Sequence, residues 1–189
     1  MDVKWFRLFS GLTALAGGWI WIRYGIELAS LPARMPGVSY RGSATYMPWF
    51  GIGMICVAIG LLGLYFTIES KRRWQSWKNG TVLTGSVLYG SGTLFRLSTE
   101  GGWEPALPVG FMLVAAGLMI VGVTVIRSRS LPLWCGLLIL FSAVSLLFFN
   151  DQYVTAWASV PFGLSWAAIG IYLAGNFRVN PSATGGMEP

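Results

Sequence analysis

PALPVGFMLVAAGLMIVGVTVI, residues 105–126, runs for 22 residues without one Asp, Glu, Lys or Arg. About 20 mostly apolar residues in a helix, with ~17–25 as the usual range, cross the ~30 Å hydrocarbon layer of a bilayer. This stretch is long enough unaided. Outward from it, the charges divide the chain into five more charge-free windows: Leu8–Ile22, Gly42–Ile68, Asn79–Phe95, Ser130–Asn150 and Gln152–Phe177. Leu8–Ile22 is short, but Arg7 and Arg23 extend it at either end by snorkelling. Asn79–Phe95 is the most polar. Its Thr81, Thr84, Ser86, Ser91 and Thr93 are costly against lipid, so this window is expected to face other helices.

Composition agrees. Of the 189 residues 54% are hydrophobic and only 11% charged, less than half the ~25% usual in soluble domains. The mean hydropathy of +0.62 points the same way. Such a chain cannot cover a water-soluble surface, and two Cys do not make a disulfide scaffold. The expectation is an all-α polytopic membrane bundle of six transmembrane helices. Residues 1–178 form the single bundle domain and 179–189 a flexible cytoplasmic tail.

The positive-inside rule orients it. Lys4, Arg7, Lys71, Arg72, Arg73, Lys78, Arg127, Arg129 and Arg178 fall on one side, against Arg23, Arg34, Arg41 and Arg96 on the other. Nine against four places both termini in the cytoplasm, as a multi-pass protein of the cell inner membrane. Trp5, Trp49, Trp74, Trp77, Trp103 and Trp134 lie near window ends, where an indole ring prefers to sit. A cleaved signal peptide is the competing reading of the first span, leaving five. Ala29-Ser30 is a poor cleavage site, however, and Arg23 and Glu27 intervene at a spacing suited to pairing on a continuing helix.

Small residues recur. Gly53, Gly110 and Gly163 are each followed by Ala five positions on (Ala58, Ala115, Ala168) and Gly seven on (Gly60, Gly117, Gly170). Gly11, Gly85 and Gly136 each have a small residue six on, so three helical hairpins of similar design fit the chain. Ala14-x-x-x-Gly18, Ser86-x-x-x-Gly90, Gly163-x-x-x-Ala167 and Gly170-x-x-x-Ala174 each put two small side chains on one helix face. Lipid tails are as apolar as Leu, so close backbone approach drives association. Gly18, Gly85, Ser86, Gly90, Gly117 and Gly170 are the expected packing positions, within the bundle or as a groove for a partner helix.

Much chemistry is missing. The chain has no His, which removes His-based nucleophile pairs, haem ligation and metal sites. Cys56 and Cys135 lie at different depths and read as packing residues. No carboxylate lies inside a window, which disfavours an ion-coupled transporter. Gly51-Ile-Gly53 and Gly90-Ser-Gly92 lack the third Gly of a dinucleotide loop. The net charge of +6 is topological bias and implies no nucleic acid.

Residues 12–107, about half the chain, resemble the N-terminal membrane domain of membrane-bound PQQ-dependent glucose/quinate dehydrogenases. The signposts are Leu12-Thr-Ala-Leu15, Gly17-Gly-Trp19, Gly42-Ser43 before Tyr46, Pro48, Gly51 and Met54. They continue with the basic Ser70-Lys-Arg-Arg73 turn and with Glu100, Gly102, Trp103, Glu104 and Ala106-Leu107. The chain departs from that pattern in a long loop between its Gly-Gly-Trp and Gly-Ser, in lacking a second Tyr beside Tyr46, and in having no propeller after the helices. The resemblance implies an anchor, a quinone-contacting subunit or a reused scaffold, and no catalytic activity in this chain.

The functional expectation is a non-enzymatic accessory or anchor subunit. Its partners would be the lipid bilayer and another membrane or periplasmic protein, with no metal and no cofactor beyond a quinone contact. An immunity protein that neutralises a membrane-inserting toxin, and a small pore or transporter, stand as alternatives. Arg34, Tyr40, Arg41 and Tyr46 before or at the second span, with Trp103 and Glu104 before the fourth, are the partner-binding candidates. Arg, Trp and Tyr give large buried area with directed hydrogen bonds. The competing reading makes Tyr46 and Trp103 interfacial belt residues and pairs Arg41 with Glu104.

Overall fold

Six helices follow one another: α1 (Val3–Ser30), α2 (Ser43–Ile68), α3 (Ser76–Phe95), α4 (Ala106–Ser128), α5 (Leu133–Phe148) and α6 (Ser159–Gly175). A short 3-10 segment, Val154–Ala158, leads into α6. The computed structural model describes residues 3–30, 43–68, 76–95, 106–129, 131–149 and 154–175, and among these there is no strand. The tail expected over 179–189 lies outside the described residues. Each helix covers one charge-free window. Pro108 and Pro161 fall in first turns, where a missing N–H costs nothing. At 28 residues α1 outruns its window and carries Arg23 and Glu27 with it. Arg23 Nε donates to Glu27 Oε1 at 3.0 Å, the pairing their spacing allows.

Three stretches, Tyr46–Phe66, Leu107–Ser128 and Thr155–Gly175, are long and apolar enough to cross a membrane. Leu133–Phe148 is apolar but shorter, rising about 24 Å. The other two helices carry the reason in their composition. Lys4, Arg7, Arg23 and Glu27 occupy the ends of α1, and hydroxyls are spread along α3.

The solvent pattern of a soluble protein is inverted. Trp5, Phe9, Trp19, Met112, Phe141, Phe148, Leu164 and Ile171 are each more than half exposed. Ser10, Ser86, Thr93, Ser142, Ser145, Ser159 and Ser165 are buried. Exposed apolar side chains in this number belong against lipid. Most of the buried hydroxyls bond back to their own helix: Ser142 to the Ile139 carbonyl and Thr93 to that of Gly90, at 2.8 and 2.7 Å. Thr84, by contrast, is exposed, so the third window does not turn all its hydroxyls inward. At 100° per residue, positions 81, 84, 86, 91 and 93 cannot share one face.

Each helix packs on its neighbours in sequence, and α6 returns to α1, closing a six-helix ring. Glycine sets the close seams. Gly11, Gly18 and Gly25, seven residues apart on α1, meet Gly170 with Ala174, Gly163 with Ala167, and Ser159 on the antiparallel α6. A Cβ on Gly11 would stand 2.7 Å from the Ala174 nitrogen. Gly17 lies on Gly53, Gly60 on Ala14, Gly51 on Thr93 and Gly90, Gly85 on Gly110, Gly117 on Val82, and Gly122 on Leu140. Ser86 of α3 is also buried.

The three-hairpin expectation needs a correction in its last member. Gly53 with Gly60, and Gly110 with Gly117, face the helix before them, but Gly163 and Gly170 face α1 and not α5. Ring closure recruits α6's glycine ridge, because α1 presents the matching seven-residue ladder.

Candidate functional site

Each helix sends one aromatic side chain to the middle of the ring near the same end. These are Trp21 from α1, Phe50 from α2, Tyr89 from α3, Phe111 from α4, Phe149 at the C-cap of α5 and Phe162 from α6. Trp21 is the hub, with ring centroids 4.6 Å from Phe162, 4.8 Å from Phe50 and 5.2 Å from Phe149. Phe149 reaches Phe50 at 5.3 Å and Phe111 at 6.1 Å, and Phe111 reaches Tyr89 at 5.7 Å. The tilted and edge-on angles are those that aromatic quadrupoles favour, each pair contributing about 0.5–1.5 kcal/mol beyond its area.

Local sequence explains the hub. The Trp21 indole lies across α2 where Gly53 has no side chain: a Cβ there would stand 2.7 Å from Trp21 Cδ1 and 2.9 Å from Nε1. The same close fit leaves Trp21 Nε1 buried without a hydrogen-bond partner. The six aromatics form an uncharged layer across the ring. Apart from the Trp21 N–H, its one polar group is the Tyr89 phenol. Among the described residues no three His, Cys, Asp or Glu are grouped as a metal site would need.

Of the partner-binding candidates read from sequence, Tyr46 is described. It is half-buried at the start of α2, with its ring 6.1 Å from that of Tyr24, which stacks on Trp49 at 5.0 Å with planes 10° apart. Tyr46 thus helps tie α2 to α1. Arg34, Tyr40, Arg41, Trp103 and Glu104 lie outside the described residues. In sequence they fall between α1 and α2 and between α3 and α4. Trp5, Trp49 and Trp134, expected near the interfaces, are exposed.

Of the expected packing positions, Gly18 and Gly170 lie at α1/α6, Gly85 and Gly117 at α3/α4, and Gly90 at α2/α3, while Ser86 is buried. Four signposts of the dehydrogenase resemblance, Gly17, Gly18, Gly51 and Met54, are likewise buried packing positions. Sequence reading missed the aromatic layer. Phe, Tyr and Trp are spread through every window, and an inward ring does not differ in pattern from a lipid-facing one. Together these features define an all-helical ring with three membrane-capable helices and an aromatic closure at one end. No family model, curated protein or solved structure matches the chain.

Proposed function

We propose that this chain is a six-span protein of the inner membrane with both termini in the cytoplasm, acting without a catalytic centre as an accessory or anchor subunit of a membrane complex. One observation carries the reading: the glycine ridges are spent inside the chain, closing α1 on α2 and α6 and α3 on α2 and α4. A partner helix therefore finds no free small-residue groove on those faces, and the remaining outward surface is apolar and suited to lipid. The groups that would recognise a partner specifically are Arg34, Tyr40, Arg41, Trp103 and Glu104, in the sequence between α1 and α2 and between α3 and α4. The likeness of residues 12–107 to a dehydrogenase anchor domain leads the same way, and extends the reading to a partner that handles quinone.

The test is co-purification of the tagged full chain from native membrane, comparing wild type with Arg41→Ala and Trp103→Ala. A membrane or periplasmic protein, or a quinone, is expected with the wild type and lost in both variants, while the folded chain stays in the membrane. Capture of a pore-forming toxin instead would identify an immunity protein. Retention of every partner in both variants would remove the outer connections from the proposal.

A further inference from the structure

Charge is divided unevenly between the two ends of the ring. Among the described residues Glu27 is the one carboxylate; it lies on α1 at the end of the aromatic layer and is paired with Arg23. At the opposite end the described basic residues are Lys4 and Arg7 of α1, Lys78 of α3, Arg127 of α4 and Arg129 just beyond it. Arg127 and Arg129 are both exposed, and neither has a hydrogen bond or an ion pair among the described residues. The backbone fixes where they stand. Arg129 stops α4 in the left-handed region, at φ 49°, and two residues on Leu131 is buried in the core before α5 begins. Below the two arginines the outward faces are apolar. Met112, Ala116 and Val123 are exposed on α4 at four- and seven-residue spacings that lead to Arg127. On α5, Leu133, Leu137, Phe141 and Val144 are exposed at the same kind of spacing, with Trp134 beside the first. Gly122 on Leu140 and Gly136 on Ile126 draw the two helices together. Two unpaired guanidinium groups thus stand at the top of an apolar wall.

We propose that the turn between α4 and α5 binds an anionic phospholipid, its headgroup held by Arg127 and Arg129 and its acyl chains lying along the outward faces of the two helices. Charge and polarity together select that occupant. Two unpaired cations with no described carboxylate at their end call for an anion, and a guanidinium suits phosphate because it forms parallel hydrogen bonds to two oxygens. A small soluble anion would leave the apolar wall uncovered, whereas a zwitterionic lipid brings its own cation and leaves the arginines unmatched. Trp134, exposed at the same level, is placed where an indole sits at the headgroup boundary. The inference rests on the membrane-spanning part of the proposed function and is independent of the partner and of the orientation.

The test uses the full chain in phosphatidylcholine vesicles with rising fractions of a phosphatidylglycerol that carries a photoreactive diazirine near the top of one acyl chain, followed by peptide mass spectrometry. Labelling is expected to saturate and to centre on residues 123–141. Arg127→Gln and Arg129→Asn should each raise the half-saturating fraction about fivefold, the worth of one basic residue at an anionic surface. Asn is chosen at 129 because it tolerates left-handed backbone. Arg23→Gln, which removes a charge at the other end, should leave half-saturation unchanged, and salt at about 0.5 M should weaken it in the wild type. A phosphatidylcholine probe that saturates at the same fraction overturns the proposal, as does a half-saturation that the double variant or the salt does not move. A chain that alkali strips from the vesicles refutes the spanning reading and this proposal with it. A chain that stays embedded without a lipid preference overturns the proposal alone, and leaves the arginines to an acidic protein segment.

Discussion

Adding one methyl group at Gly18 tests the glycine ladder most sharply. An Ala Cβ at this position would strike the Gly163 carbonyl oxygen and stand 2.7 Å from the Ala167 nitrogen. Both are backbone atoms of α6, so no rotamer can relieve the clash. Restoring an ordinary contact of about 3.5 Å requires α1 and α6 to separate by close to 1 Å, and a gap of that size forfeits a quarter to a half of each dispersion well along the seam. Overpacking normally costs about 1–3 kcal/mol, and the rigid backbone on both sides puts Gly18→Ala at the upper end, about 2–3 kcal/mol. For a chain of this length that lowers the melting temperature by about 5–10 °C. Gly80→Ala is the matched control. Its Cβ would meet nothing within 4 Å, and removing a helical glycine should stabilise by about 0.5–1 kcal/mol. Thermal unfolding of both variants in one detergent, read by circular dichroism, separates them. If Gly18→Ala melts with Gly80→Ala, the α1/α6 ladder does not hold the ring closed.

On α3 the same reasoning ranks two glycines. A Cβ on Gly85 would lie 2.7 Å from the Gly110 carbonyl, whereas one on Gly90 would first meet the Ile55 side chain at 2.9 Å. Gly85→Ala is therefore expected to lower the melting temperature several degrees more than Gly90→Ala, and the reverse order would misplace α3 against α4. In the aromatic layer, Phe50→Ala should cost about 3–5 kcal/mol by emptying the buried ring site. Trp21→Phe, which removes the partnerless N–H while keeping a ring, should cost far less in the same melt. Reporter fusions at Arg34, Lys78, Glu104 and Arg178 should be periplasmic, cytoplasmic, periplasmic and cytoplasmic in turn. A periplasmic signal at Lys78 or Arg178 overturns the orientation.

The charge-free windows already outline the six helices, because an ionised side chain in hydrocarbon is expensive enough to mark the boundaries by itself. The Arg23–Glu27 pair was legible for a similar reason, since a four-residue spacing fixes a contact within one helix. Small residues at helical spacing marked Gly18, Gly85, Gly117 and Gly170 as packing positions. What the spacing could not contain is which helix each would meet. Gly163 and Gly170 carry the same pattern as Gly53 and Gly60, yet they turn to α1 because only the folded ring brings α6 against the ladder of Gly11, Gly18 and Gly25. The aromatic layer was hidden more completely. In water, polarity separates an inward face from an outward one; here both lipid and core are apolar, so Trp21 buried and Trp19 exposed carry the same one-dimensional signal. Only tertiary packing, through the gap that Gly53 leaves for the Trp21 indole, decides which of the two becomes the centre of the bundle.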